Sequence, residues 1–211
     1  MFLHHTNTFI QKLFPNYFTW KIKTDKKIIY LTFDDGPIPV ITEFVIKTLA
    51  KYQAKATFFC IGDNIEKHPE IFKQIINAGH GIGNHTYNHP NGWKSNNLSY
   101  TKNTKKCNNI IKKYLPTEDK ILFRPPYGRI KPLQAKIINK TNKIIMWNVL
   151  SGDFSQNLSP EIVLQKTIKH TQPGSIVLFH DSIKASKNMY FALPLFLEHF
   201  SKMGYTFEKI D

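Results

Sequence analysis

The sequence IIYLTFDDGP, at residues 28–37, predicts a hydrophobic strand that ends at two adjacent carboxylates and a tight turn. Similar strand candidates follow at 56–61, 81–85, 121–124, 143–149, 175–180 and 205–208. Helical patterns separate them, at about 41–53, 68–78, 98–114, 132–140, 160–170 and 191–203. This α/β alternation predicts about seven mostly parallel strands buried by helices, either as an open doubly wound sheet or as an incomplete barrel.

Length and composition predict one domain. The chain has 211 residues, of which 41% are hydrophobic, and its apolar runs are too short to span a membrane. Residues 1–25 precede the first strand and are interpreted as an N-terminal arm or covering helix, followed by a catalytic domain at 26–211. No secretion signal is readable, so the sequence by itself indicates the cytoplasm, and the alternative is export by a route that the sequence does not show. It indicates no oligomeric state.

The charge of +14 indicates attraction to an anionic polymer such as cell-wall glycan, a membrane surface or nucleic acid. The alternative is a lysine-rich background without a dedicated partner. Arginine occurs only at Arg124 and Arg129. Because nucleic-acid readers use arginine heavily, we do not expect a nucleic-acid partner.

The candidate reactive side chains share one position, at or just after the carboxyl end of a predicted strand. They are Asp34 and Asp35, His85, Arg124, Asp153 and His180. In parallel α/β folds that edge is where active sites assemble. The pattern therefore favours one shared site over scattered polar residues.

We first interpret the aspartates and histidines of this cluster as a metal site. His85 and His89 have a spacing that suits zinc, and a single helical turn is expected to bring both rings onto one face. With Asp35 as third ligand, two imidazoles and a carboxylate leave positions open for water and substrate. Adjacent carboxylates repel each other, and a metal on one of Asp34 and Asp35 leaves the other ionised and able to act as a base. The alternative is an ordinary turn at residues 34–37.

The remaining candidates have structural alternatives as well. Arg124 precedes two prolines, so it is either part of a rigid turn or an immobilised guanidinium that orients a carboxylate. Trp147 is either core or pocket wall. His180 is either a satisfied core histidine or, paired with Asp153, a general acid with a raised pKa.

Together these segments resemble the polysaccharide deacetylases, carbohydrate esterase family four, also called NodB-like. The resemblance runs from about residue 27 to the C-terminus, with five motifs in the family's order. The motifs are TFDDGP at 32–37, HTYNH at 85–89, RPPY at 124–127, Trp147 with Asp153, and LFH at 178–180. The fold that this implies is a distorted, incomplete (β/α) barrel.

The resemblance also implies the roles of individual residues. Asp34 is the expected base, and Asp35, His85 and His89 are the expected metal ligands. Arg124 orients Asp34, and the backbone N–H of Tyr127 helps to form an oxyanion hole. Asp153 tunes His180, the expected general acid. The substrate pocket is expected to contain Trp147, Leu178 and Pro126.

Two positions depart from the family pattern, since Leu150 stands where an acidic residue is usual and Phe154 where a Trp is usual. Both changes affect the pocket rim and leave the substrate open. Most relatives act outside the cytoplasm, so the missing signal is a further departure.

We therefore expect a metal-dependent hydrolase that removes acetyl groups from N-acetylated glycans, with a metal-bound water as nucleophile. Zn²⁺ is the expected metal, and Co²⁺ or Ni²⁺ fit the same ligands. Peptidoglycan, chitin oligomers and acetylxylan are the candidate substrates, in that order. The alternatives are a glycan-binding scaffold without activity and a nucleic-acid binder.

Overall fold

The computed structural model describes residues 4–6, 11 and 13–211. The strands in this part are Phe18–Thr19 (β1), Ile28–Asp34 (β2), Ala56–Cys60 (β3), Gly81–Asn84 (β4), Ile121–Phe123 (β5), Asn142–Ile145 (β6), Val149–Leu150 (β7), Ile176–His180 (β8) and Thr206–Phe207 (β9). The helices are Ile41–Lys51 (α1), Gly62–Lys67 (α2), Pro69–Asn77 (α3), Asn97–Tyr114 (α4), Pro132–Ile138 (α5), Pro160–His170 (α6) and Ser186–Lys202 (α7).

The sheet is an incomplete barrel of parallel strands. Its order among the described residues is β1-β6-β5-β4-β3-β2-β8-β7, and every neighbouring pair is parallel. The short β9 pairs with the first two residues of β2. The predicted α/β fold and incomplete barrel are therefore confirmed. A parallel sheet needs both faces covered, and β3 is buried along its whole length.

The predicted strand at 143–149 is divided into two strands, with β6 next to the end strand β1 and β7 at the other end of the sheet order. The chain crosses the open side of the barrel between them. Before the crossing, the Met146 N–H donates to the Thr19 carbonyl at 2.7 Å. After it, the Asn148 side chain accepts from the Ile176 N–H at 2.8 Å. One apolar run thus supplies strands near both ends of the sheet order.

Other elements differ from the sequence prediction. Helix α2 was not predicted, and α7 begins at Ser186 and continues through Pro194. Part of the predicted N-terminal arm lies outside the described residues. Within the described part, β1 joins the sheet, and His5 forms an antiparallel bridge with Val149. The division into arm and catalytic domain stays a prediction.

The core lies between the sheet and the surrounding helices. Phe33, Phe58 and Phe179 stack across three adjacent strands, and Phe179 meets Phe196 of α7 edge-on. All four are completely buried. Among the described residues, none of the helices has both the length and the apolar character needed to cross a bilayer.

Candidate active site

The carboxyl ends of the central strands form a cleft of about 540 Å³. The strand register places Asp34 of β2 directly opposite His180 of β8, and Asn84, which precedes His85, opposite Cys60 of β3. The lining residues include the expected Asp34, Asp35, His85, His89, Tyr127, Trp147, Leu178 and His180. Arg124 and Asp153 are fully buried. Arg124 contacts Asp34, and Asp153 contacts His180. Strand pairing thus brings the reactive candidates together.

Asp35, His85 and His89 form a compact set of donors. One ligand atom from each residue lies within 4.8 Å of the others. The Asp35 Oδ1 atom is 3.3 Å from His89 Nε2 and 3.7 Å from His85 Nε2. Two imidazole nitrogens and one carboxylate oxygen are a donor set typical of catalytic zinc. The residues present therefore fit a divalent metal.

The orientation of His85 is set from behind. Its Nδ1–H donates to the Arg124 carbonyl at 2.9 Å, which leaves Nε2 unprotonated and directed toward Asp35. Such a bond to the second ring nitrogen is usual for metal-binding histidines. Burial lowers the pKa of His85 well below its usual value, and the nearby His89 lowers it further. Both effects favour the neutral imidazole, the form that binds metals.

The expectation of a helical turn from His85 to His89 is wrong. The segment is an irregular loop in which Thr86 and His89 have positive φ angles of 66° and 59°. The loop still brings the two rings to 5.0 Å between centroids. Asp35 and Tyr127 also have positive φ, at 86° and 59°. Left-handed backbone at non-glycine residues concentrates at functional sites, where the surrounding packing enforces it.

Arg124 directly follows β5 and is completely buried. Its guanidinium connects β2 with the end of β6. One terminal nitrogen donates to Asp34 Oδ1 at 2.8 Å and to the Thr32 hydroxyl at 2.7 Å. The other nitrogens donate to the carbonyls of Ile145 and Met146. Burial lowers the pKa of Arg124, and the charge of Asp34 opposes that effect. Asp34 is thereby fixed with Oδ2 3.7 Å from His85 Nε2.

His180 is held by the Asp153 carboxylate through two bonds. Its ring Nδ1 and its backbone N–H each donate to a different carboxylate oxygen, both at 2.8 Å. Burial by itself lowers the pKa of His180, but the Asp153 charge and hydrogen bond more than offset burial and raise that pKa to about 9. The ring is therefore a cation at neutral pH, with Nε2–H as its second donor.

Only two of the three expected pocket residues line the cleft. Trp147 and Leu178 line the cleft, whereas Pro126 is buried and is absent from the lining. Tyr127 is 60% exposed and packs edge-on against His89, with 4.5 Å between ring centroids. Leu150 and Phe154, the two departures from the family pattern, both line the cleft.

Asp181 is a site residue that the sequence reasoning missed. Its carboxylate accepts from the Gly36 N–H at 3.0 Å and from the Thr42 hydroxyl at 2.6 Å, and it is completely buried. Burial raises the pKa of Asp181 to about 8, with a further contribution from Asp35. Asp181 thus fixes the turn that follows Asp35. The only sequence signal was its position after His180 at a strand end.

We expect Gly36→Ala to destabilise the fold by about 1–3 kcal/mol, because a Cβ atom there overpacks the turn. That atom lies 1.9 Å from Asp181 Oδ2, and the carboxylate cannot move away without losing its two bonds. Urea unfolding measures the change. Combining Gly36→Ala with Asp181→Ala removes the clash, so the double variant is expected to lose less stability than the sum of the single variants. Strict additivity would contradict this packing argument.

Comparison with known proteins gives a consistent result. The sequence model of the polysaccharide deacetylase family matches residues 21–143. A peptidoglycan-N-acetylglucosamine deacetylase of Bacillus cereus is 34% identical over 198 residues, which cover 92% of each chain. A chitooligosaccharide deacetylase of Azorhizobium caulinodans is 34% identical over 171 residues, which cover 76% of this chain and 77% of that protein.

A solved structure extends this similarity to the fold. The Bc1960 peptidoglycan N-acetylglucosamine deacetylase, crystallised with 4-naphthalen-1-yl-N-oxidanyl-benzamide, matches with a TM-score of 0.87 at 30% identity. The match covers 97% of this chain and 95% of that chain.

Proposed function

Because the chain belongs to the polysaccharide deacetylase family, we propose that it hydrolyses the acetamide of N-acetylated sugars in a glycan, with peptidoglycan first and chitin-type chains second. The observation that carries this proposal is the placement of Asp34. One of its oxygens is occupied by Arg124, and the other faces the donor set of Asp35, His85 and His89. A fixed carboxylate beside a metal site is suited to proton transfer.

We assign the metal to Asp35, His85 and His89, and Zn²⁺ is the metal that these donors fit best. A metal bound there would polarise the acetyl carbonyl and would lower the pKa of the attacking water. Asp34 takes the proton of that water. The Tyr127 N–H stabilises the developing oxyanion. His180 then donates its Nε2 proton to the departing amine, while Asp153 stabilises the cation before transfer.

Acetate release with and without chelator tests the proposal. We expect release from peptidoglycan or N-acetylglucosamine oligomers, loss of at least about 95% of it after chelation, and recovery when Zn²⁺ is added back. Acetylxylan serves as the O-acetyl comparison. Full activity in the chelated and metal-free protein would contradict the assignment of the metal. Glycan binding without acetate release would favour a scaffold role instead.

The pH dependence tests the assignment of His180. Its protonated form is the acid, so kcat is expected to fall as pH rises through about 9. Asp153→Asn removes the charge that raises this pKa, and the alkaline limb is expected to move to lower pH. An unmoved limb would exclude His180 as the titrating acid.

The same charge pair affects stability. The folded-state pKa of about 9 exceeds the ordinary value of 6.5. The contribution of the pair is therefore complete below about pH 6.5 and is lost as pH rises through about 9. In Asp153→Asn, the unfolding free energy is expected to vary less between pH 7 and pH 10, as measured by urea titration.

A further inference from the structure

Trp93 is an exposed indole on the loop between β4 and α4. It is 59% exposed, yet its Nε1–H donates to the Ile130 carbonyl at 3.3 Å. The Arg129 guanidinium lies over the ring, 5.1 Å from its centroid. An indole that is fixed at its edge and open to solvent is more typical of a binding surface than of a core.

The loop that presents Trp93 is held in place by buried contacts. Gln134 is completely buried, and its amide donates to the Gly92 carbonyl at 3.0 Å. The Asn91 side chain accepts from the Trp93 N–H at 3.0 Å. A Cβ atom at Gly92 would lie 2.3 Å from the Arg129 carbonyl, so the two segments are in close contact. Because the surface is already ordered, ligand binding loses little conformational entropy.

This surface is continuous with the active site. Arg129 lines the cleft, two residues beyond Tyr127. Tyr127 in turn packs against His89 of the donor set. Contacts thus connect Trp93, through Arg129 and the segment that carries Tyr127, to the cleft that contains the donor set.

The rim of the cleft also carries positive charge. Arg129 and Lys184 line it from two different loops. Among the described residues, the only carboxylates in the lining are Asp34 and Asp35. Asp34 is bound by Arg124, and Asp35 lies in the donor set. The two rim cations thus have no carboxylate partner in the cleft lining.

We propose that Trp93 and Arg129 form a subsite for the sugar next to the one that loses its acetyl group, and that Arg129 and Lys184 select glycans bearing carboxylates. Peptidoglycan carries carboxylates on its muramic acid units or their peptides, whereas chitin-type chains carry none. The sugar ring stacks on the open face of Trp93, and the Arg129 fork binds the carboxylate. The inference rests on the proposed function, because it names the preferred substrate of the same site.

The test compares kcat/KM for a peptidoglycan fragment and an N-acetylglucosamine hexamer. Arg129→Gln and Lys184→Gln are each expected to lower the value about fivefold for the fragment and less than twofold for the hexamer. Trp93→Ala is expected to lower both about fivefold. Lys94→Gln is the matched control, since Lys94 is exposed on the same loop and does not line the cleft. It is expected to change neither value by more than about twofold.

Different results would contradict different parts of the proposal. Equal losses on both substrates in Arg129→Gln would overturn the charge selection, and unchanged kinetics in Trp93→Ala would overturn the subsite. If no glycan releases acetate, the proposed function fails, and calorimetric binding of the same two glycans decides the inference separately. Tighter binding of the fragment that is lost in Arg129→Gln supports the subsite. Equal binding of both glycans, or no binding, overturns it.

Discussion

Replacing Asp34 with Asn is expected to lower kcat on an N-acetylated glycan by about 10³-fold while the bound metal stays at its wild-type level. The amide keeps the shape of the carboxylate and can still accept from Arg124, but it cannot take a proton from water. The proposed metal ligands Asp35, His85 and His89 are unchanged by the substitution. Steady-state acetate release and elemental analysis of the purified variant measure the two quantities.

The control for this experiment is Asp25→Asn, since Asp25 is exposed in the loop before β2 and does not line the cleft. It removes the same charge and is expected to leave kcat within about twofold of wild type. Wild-type turnover in Asp34→Asn would exclude Asp34 as the base. Loss of metal together with turnover would place Asp34 among the ligands instead.

Arg124→Lys is expected to lower the free energy of unfolding by about 3 kcal/mol and kcat by about 10²-fold. A lysine ammonium cannot reproduce the planar fork that reaches Asp34, Thr32 and the two carbonyls at and just after the end of β6. Asp34 then loses its fixed orientation, and buried acceptors lose their donors. Urea unfolding and steady-state kinetics measure the two effects.

The chain contains a matched control for this substitution, because Arg129 is its only other arginine and is exposed. Arg129→Lys is expected to change the unfolding free energy by no more than about 0.5 kcal/mol. If both arginine variants unfold at the same urea concentration as wild type, the buried network contributes no net stability. A stable Arg124→Lys with full turnover would show that Asp34 needs no fork to orient it.

Much of the fold was predictable because strands β2, β3 and β8 carry their own local pattern of β-branched and aromatic residues. The two-residue strands β1 and β7 carry too few residues for any pattern. Their pairing depends on partners distant in sequence, such as Phe18 with Ile144. The division of 143–149 likewise depends on pairing with residues that are distant in sequence, and a short stretch of sequence does not reveal such pairing.

The convergence of the candidate residues was predictable from strand ends alone, because parallel strands finish at the same edge. Loop conformation was not, since nothing in the types of Thr86 and His89 signals a positive φ. Asp181 and Gly36 contact each other across 145 positions of sequence, and no spacing rule connects them. The roles assigned to the individual residues stay predictions for the experiments above.

The bonds of Arg124 have one further consequence. They tie Asp34 to the carbonyls at and just after the end of β6, next to the two-residue edge strand β1. The proposed metal ligands instead follow β2 and β4, in the middle of the sheet. Opening of the β1–β6 margin is therefore expected to break the bonds that fix Arg124, and with them the orientation of Asp34, while β2 and β4 stay paired with their neighbours in the middle of the sheet. Turnover is then expected to be lost in a local opening, well before the whole chain unfolds.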